Sequence, residues 1–266
     1  MTGLERAATV VMWTMTALVV LTLLAPLVVT LAVSVSSSAV FNLPPPSLST
    51  RWYERAWRLR ELWPSVRLSL QIALLSTAIS LVLGTLCALA VARGSFRGKT
   101  ALVTFMVSPL MMPGLVVGVA ILQMLRQVGL RDAYVSLMIG HVVITLPYVM
   151  RTVLASLSLF DFTLIEAART LGCSYPKALA KVLVPVLAPA FLTSGLFAFL
   201  ASMDNYPISI FLVDARNKTL PILMLQYLEE NPDPTIAAIS SGLIVLTIVV
   251  LLIADRLVGL RRLAEF

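Results

Sequence analysis

Six long apolar runs separated by short polar segments leave this chain few folds to adopt. They fall near Val10–Val35, Val66–Ala92, Ala101–Leu125, Ala133–Met150, Val186–Val213 and Ile236–Ala254. Crossing about 30 Å of hydrocarbon takes roughly 20 apolar residues in a helix. In lipid, every backbone N–H and C=O must be paired inside the protein, which restricts spanning structures to helices and closed barrels. Runs of this length therefore predict six membrane-spanning helices in an all-α integral membrane protein. The first run exceeds the roughly 7–15 residue core of a secretory signal peptide, and five more follow it. Charged residues make up 12% of the chain, against about a quarter in a soluble domain. The longest polar stretches hold about thirty residues, too few for an independent core. The expected organisation is one transmembrane domain over residues 1–266.

Lys and Arg beside the spans separate the two orientations only narrowly. With both termini in the cytoplasm, eleven of the 20 basic side chains lie inside, Arg261 and Arg262 among them, and nine outside. Net charge separates the sides further, about +6 inside and +2 outside, with Asp204 left in the membrane. The pI near 9.8 then reflects anchoring to membrane lipid rather than nucleic-acid binding. Cys87 and Cys173 are expected to be free thiols, and neither belongs to a CxxC or Cys/His cluster that would hold a metal.

The segment Gly94-Ser95-Phe96-Arg97-Gly98-Lys99-Thr100 imitates a phosphate-binding loop but has a spacer of the wrong length. The pattern G-x4-G-K-[ST] would need glycine at Arg93. A basic turn between two spans, attracted to anionic lipid, accounts for it. No ATP or magnesium site is expected on this chain, and no other cofactor.

Between the fourth and fifth runs, the polar loop 151–185 carries Glu166-Ala167-Ala168, Gly172, Val182, Val184 and Pro185. Written as E-A-A-x3-G-x9-V-x-V-P, it resembles the EAA signature of permease subunits in bacterial ABC importers. The resemblance implies that Glu166, Ala167, Ala168, Arg169, Leu171, Gly172 and Pro185 couple the chain to a separate ATPase. Locally, Thr163 and Glu166 match a capping box, with Asp161 as a competing cap. Ala167, Ala168, Arg169 and Leu171 favour helix. Gly172 can end it in the left-handed conformation, and Ser174 with Pro176 can start a second helix running through Pro185 into the fifth span. Glu166 either meets a basic or polar group on the ATPase or serves as the cap.

The fifth run is interrupted by Asp204-Asn205-Tyr206-Pro207. A carboxylate in the bilayer marks a pathway or a buried partner, and Pro207 loosens the helix. Asp204 lies about 28 Å along the helix from Pro185, toward its outer mouth. It is either an anionic contact for a cationic solute, with Tyr206 adding cation–π attraction, or an N-cap or interfacial group that ends the helix. Gly114 and Gly118 form a close-packing face. Pro109, Pro113, Pro147 and Pro189 are expected to kink their helices. His141, the one histidine, is expected to make an interhelical hydrogen bond. Trp52, Tyr53 and Trp57 suggest an amphipathic segment along the outer surface, and Glu229, Glu230 and Asp233 an acidic outer loop.

Arg51-Trp52-Tyr53, residues 69–93, Asp204-Asn205 and Thr219-Leu220-Pro221 are similar to the second permease of spermidine/putrescine ABC importers. Related permeases for iron, thiamine, sulfate or phosphonate share this framework. The resemblance implies the six-span type I importer fold in a bacterial inner membrane. It also implies a second, different permease, an ATPase homodimer carrying ATP and Mg, and a periplasmic or extracellular solute-binding protein. A secondary transporter would need a coupling-ion site and repeats; one intramembrane acid and no repeat argue against it.

Overall fold

A computed structural model describes residues 3–258. Arg261 and Arg262, counted above among the inner charges, lie outside the described residues. Twelve α-helices form in this region: α1 (Gly3–Ser34), α2 (Arg51–Arg58), α3 (Leu62–Arg93), α4 (Lys99–Val107), α5 (Gly114–Gln127), α6 (Ala133–Ser158), α7 (Thr163–Thr170), α8 (Tyr175–Ala178), α9 (Val184–Met203), α10 (Ser209–Leu212), α11 (Leu220–Glu230) and α12 (Thr235–Val258). Among the described residues no strand forms, only an isolated bridge between Ser36 and Leu48.

Five continuous helical stretches are long and apolar enough to cross a membrane: Ala8–Ser34, Leu62–Arg93, Ala133–Ser158, Tyr175–Met203 and Thr235–Ile253. The run expected as a third straight span, Ala101–Leu125, is instead a broken pair. Lys99–Met111 and Gly114–Gln127 meet at 112°. The reason is local. Ser108–Met111 tightens into a 3₁₀ turn containing Pro109, Met112 is extended, and Pro113 cannot donate a helical hydrogen bond. Pro147 and Pro189, by contrast, lie inside continuous helices. The fourth helix runs on to Ser158, beyond the expected Met150, so the polar connection before the next helix is shorter than 151–185.

The chain forms two compact units. One comprises the described residues up to Leu62 together with Met224–Leu252. In it Trp52 is buried and donates its indole N–H to the Ser36 carbonyl at 2.7 Å. The Tyr53 hydroxyl lies 2.8 Å from both Ser34 and Ser241, and Arg55 pairs with Asp233 at 2.9 Å. Trp52 is thus core rather than an interfacial anchor, while Trp57 on the opposite face is exposed. Asp233 is engaged with Arg55, Tyr227 and the Thr235 amide rather than free in an acidic loop.

The other unit, Trp63–Leu223 with the described residues from Ile253 on, holds both candidate functional regions. Helix α6 is its axis and packs most extensively on α9. Two apolar clusters sit at its two ends. One joins Leu68 and Ile72 of α3 to Val117 and Ile121 of α5, Leu137 of α6 and Ile208 and Leu212. The other joins Ala88 and Val91 of α3 to Val149–Leu157 of α6, Ile165 of α7 and Leu183 and Leu187. Helices α3 and α6 therefore run parallel, and α9 returns antiparallel between the clusters.

Candidate functional site

At the end of this unit that carries the second cluster, α7 projects as a short amphipathic helix. The Asp161 carboxylate accepts the Thr163 backbone N–H at 2.9 Å, and that bond holds the carboxyl below its ordinary value of 3.8. The capping box expected from Thr163 and Glu166 does not form. Thr163 is already the first helical residue, and its amide is taken by the shorter reach of Asp161. Gly172 closes the helix as expected, at φ +85°. The Cys173 amide donates to Ala168 at 3.1 Å and the Gly172 amide to Arg169 at 2.9 Å, the paired bonds of a Schellman turn. Ser174 and Pro176 then start the next helix. Pro185 cannot donate to the Lys181 carbonyl, and a π turn over Leu179–Leu183 absorbs the mismatch as α8 continues into α9.

Glu166 takes a role the sequence did not indicate. One carboxylate oxygen meets the Arg93 guanidinium at 3.4 Å, and the other meets Arg169 at 3.0 Å. Arg93 also donates to the Tyr175 hydroxyl at 3.0 Å and lies 5.1 Å from the centre of the Phe162 ring. These groups are a third to a half exposed, so each pair contributes only about 0.2–1 kcal/mol. Together they tie α7 to the end of α3. Ile165 anchors the inner face of α7 and is fully buried. The outward face presents Leu164, Ala167 and Leu171 to solvent, with Leu171 89% exposed.

The opposite end of α9 stops at Met203, ten residues before the expected Val213. Asp204 is the C-cap, with φ −94° and ψ 8°, rather than an N-cap. The chain breaks across Asn205 and Tyr206, and Asn205 receives the Ile208 amide on its side chain at 3.1 Å. After Pro207 a single helical turn, α10, lies against α5 and α6. Gly114 and Gly118 form the seat for this turn. A Cβ at Gly118 would lie 3.0 Å from Ile208 Cα and 3.2 Å from the Pro207 carbonyl oxygen. The close-packing role read from the G-x3-G spacing holds, with a broken segment rather than a long helix as partner.

His141 is buried in the same place. Its Nδ1 lies 2.6 Å from Ser202 Oγ and its Nε2 3.0 Å from Ser209 Oγ, so the interhelical bond expected of it is in fact two. Ser202 is 3.3 Å from Ser76 of α3, Ser80 and Thr145 are 2.7 Å apart, and Thr145 donates to the His141 carbonyl. Asp204 is exposed and has no ion pair among the described residues, while Asn205 and Tyr206 are half-buried beside it. Sequence spacing could not reveal that Ser202 and Ser209 converge on one histidine, or that Ser76 meets Ser202. Serines are common in such helices, and only the packing selects these.

The family of binding-protein-dependent transport system inner membrane components matches residues 80–261. The chain belongs to that family. It is an ABC importer permease. It is 29% identical to the spermidine/putrescine transport system permease protein PotC of Haemophilus influenzae, over 81% of this chain and 84% of that protein. To the putrescine transport system permease protein PotI of Escherichia coli it is 30% identical, over 73% of this chain and 71% of that one. In fold it resembles a bacterial ABC transporter involved in the import of the acidic polysaccharide alginate. That match has a TM-score of 0.72 at 19% identity and covers 97% of this chain and 98% of that one. The six-span reading therefore stands, with one of the six spans broken. Membership also disposes of the secondary-transporter alternative.

Proposed function

We propose that this permease forms half of a polyamine import pathway and is driven by a separate ATPase docked on α7. The observation that carries the coupling role is the two-faced character of α7. Its buried Ile165 and its Arg93–Glu166 link join it to α6, α9 and α3, while Leu164, Ala167 and Leu171 are left exposed. A helix held rigidly on one side and apolar on the other suits capture by a cleft in a partner, whose closure would drag the attached spans. Glu166, Ala167, Ala168, Arg169, Leu171, Gly172 and Pro185 make up this device. ATP and Mg reside on the partner ATPase dimer.

Polyamine as the solute rests on the similarity to the spermidine/putrescine permease PotC and the putrescine permease PotI, with Asp204 as an anionic contact at the end of the unit opposite α7. Tyr206 would add cation–π attraction there. Iron, thiamine, sulfate or phosphonate is the alternative class of solute. A solute-binding protein as partner is supported by a second structural relative, a bacterial alginate ABC transporter in complex with a pentasaccharide-bound periplasmic protein. Its TM-score is 0.73 at 13% identity, covering 95% of this chain and 94% of that one. A second permease is supported by α1, whose apolar window is only 6% buried, leaving its surface for lipid and another subunit. Both termini are assigned to the cytoplasm.

The test is ATP hydrolysis by the reconstituted complex with spermidine-loaded binding protein. Leu171→Asp and Gly172→Pro should abolish stimulated hydrolysis or ATPase assembly while the bundle stays folded. Failure of any ATPase to associate with the unaltered chain would overturn the coupling role. Stimulation by an unrelated solute but not by spermidine would overturn the polyamine assignment alone.

A further inference from the structure

We propose that His141 is the positioning residue for the 204–208 break, joining the helix before it to the turn after it and so fixing where Asp204, Asn205 and Tyr206 meet the solute. The proposal rests on the reading that these three residues face the pathway. Its structural basis is that the two ring nitrogens bond to opposite sides of the break, Ser202 in the last turn of α9 and Ser209 in the first of α10.

The Ser209 hydroxyl donates its one proton to the Asn205 carbonyl, so Ser209 must accept at its contact with the ring. Nε2 therefore carries the hydrogen, and Nδ1 accepts from the Ser202 hydroxyl. Ser202 still has a lone pair facing Ser76 of α3. A neutral imidazole, which offers one donor and one acceptor on opposite sides of a rigid ring, matches this arrangement. The break also rests against Gly114, Gly118 and Gly140, where a Cβ would meet Pro207, Ile208 or Leu212 at 3.1 Å or less. The glycines set how deeply the turn sits, and His141 sets the separation of its two ends.

The experiment uses the complete reconstituted importer, with Cys87 and Cys173 replaced by serine and a single cysteine introduced by Asp204→Cys. The rate of labelling by a cationic thiosulfonate is measured. His141→Leu should change that rate about fivefold or more, the population change expected when two interhelical hydrogen bonds are lost. His141→Gln, whose amide supplies one donor and one acceptor, should restore most of it. A cysteine at Val128, exposed at the far end of α5 from Gly114 and Gly118, should label at the same rate in every background. Unchanged labelling in His141→Leu overturns the proposal. A parallel change at the Val128 position also overturns it, because the effect is then global. If His141→Leu shifts labelling while Asp204→Asn imports spermidine normally in the natural-cysteine background, the positioning role stands and the solute-contact reading of Asp204 falls.

Discussion

Replacing Gly118 with alanine tests the seat beneath the broken segment. A methyl at this position would meet Phe211 Cδ2 at 2.8 Å, Ile208 Cα at 3.0 Å and the Pro207 carbonyl oxygen at 3.2 Å. Carbon atoms rest at about 3.5–4.0 Å, so the neighbours must retreat by roughly half an ångström or more. The Phe211 ring can turn aside, but Ile208 Cα and the Pro207 carbonyl are backbone and move only with the whole turn. Overpacking of this kind costs about 1–3 kcal/mol. Alanine returns about 0.8–1.0 kcal/mol of helix propensity over glycine, leaving a net loss of roughly 0–2 kcal/mol. Gly195 of α9 is the control, because a Cβ there meets Leu81 no closer than 3.4 Å. Gly195→Ala should keep the propensity gain of about 1 kcal/mol. Thermal unfolding of the detergent-solubilised permease, followed by exposure of Cys87 and Cys173 to a thiol-reactive dye, should place Gly118→Ala below the unaltered protein and Gly195→Ala at or above it. Equal melting temperatures for the two variants would refute the seat.

Three further outcomes are expected. Ser80→Ala and Thr145→Ala, whose hydroxyls lie 2.7 Å apart in the bundle, should show a double-mutant coupling of about 0.6 kcal/mol and no more than about 1.7 in the same unfolding assay. Trp52→Phe leaves the Ser36 carbonyl without its 2.7 Å donor and should destabilise the protein by about 1–3 kcal/mol. Asp161→Ala should speed amide exchange at the start of α7, whereas Asp161→Asn, which keeps an acceptor, should not. Because the folded carboxyl titrates below its ordinary 3.8, this cap is at full strength above that value and weakens as pH falls through the folded one. Intrinsic-rate-corrected exchange at Thr163 should therefore be constant from about pH 5 to 8.

What could be read in advance about α7 was whatever depends on near neighbours in the chain. Gly172 had to end the helix because few other residues adopt its φ of +85°, and Ser174-Pro176 had to begin the next. The capping box does not form because two acceptors compete for one amide, and a two-residue reach beats a three-residue one. The Arg93–Glu166 link, 73 residues apart, has no signal in spacing. A charged residue at a span end reads first as a lipid anchor.

The run of apolar residues by itself determined that the chain crosses a membrane, since nothing but paired backbone survives in hydrocarbon. The pattern around Glu166 and Gly172 determined its kinship. Only the tertiary structure decided that the third span bends by 112°, that the fifth stops at Met203, and that the turn after it sits on Gly118 beside His141. Hydropathy registers only whether a residue tolerates lipid. A glycine seat and a shared imidazole depend on which helices approach closely enough to use them.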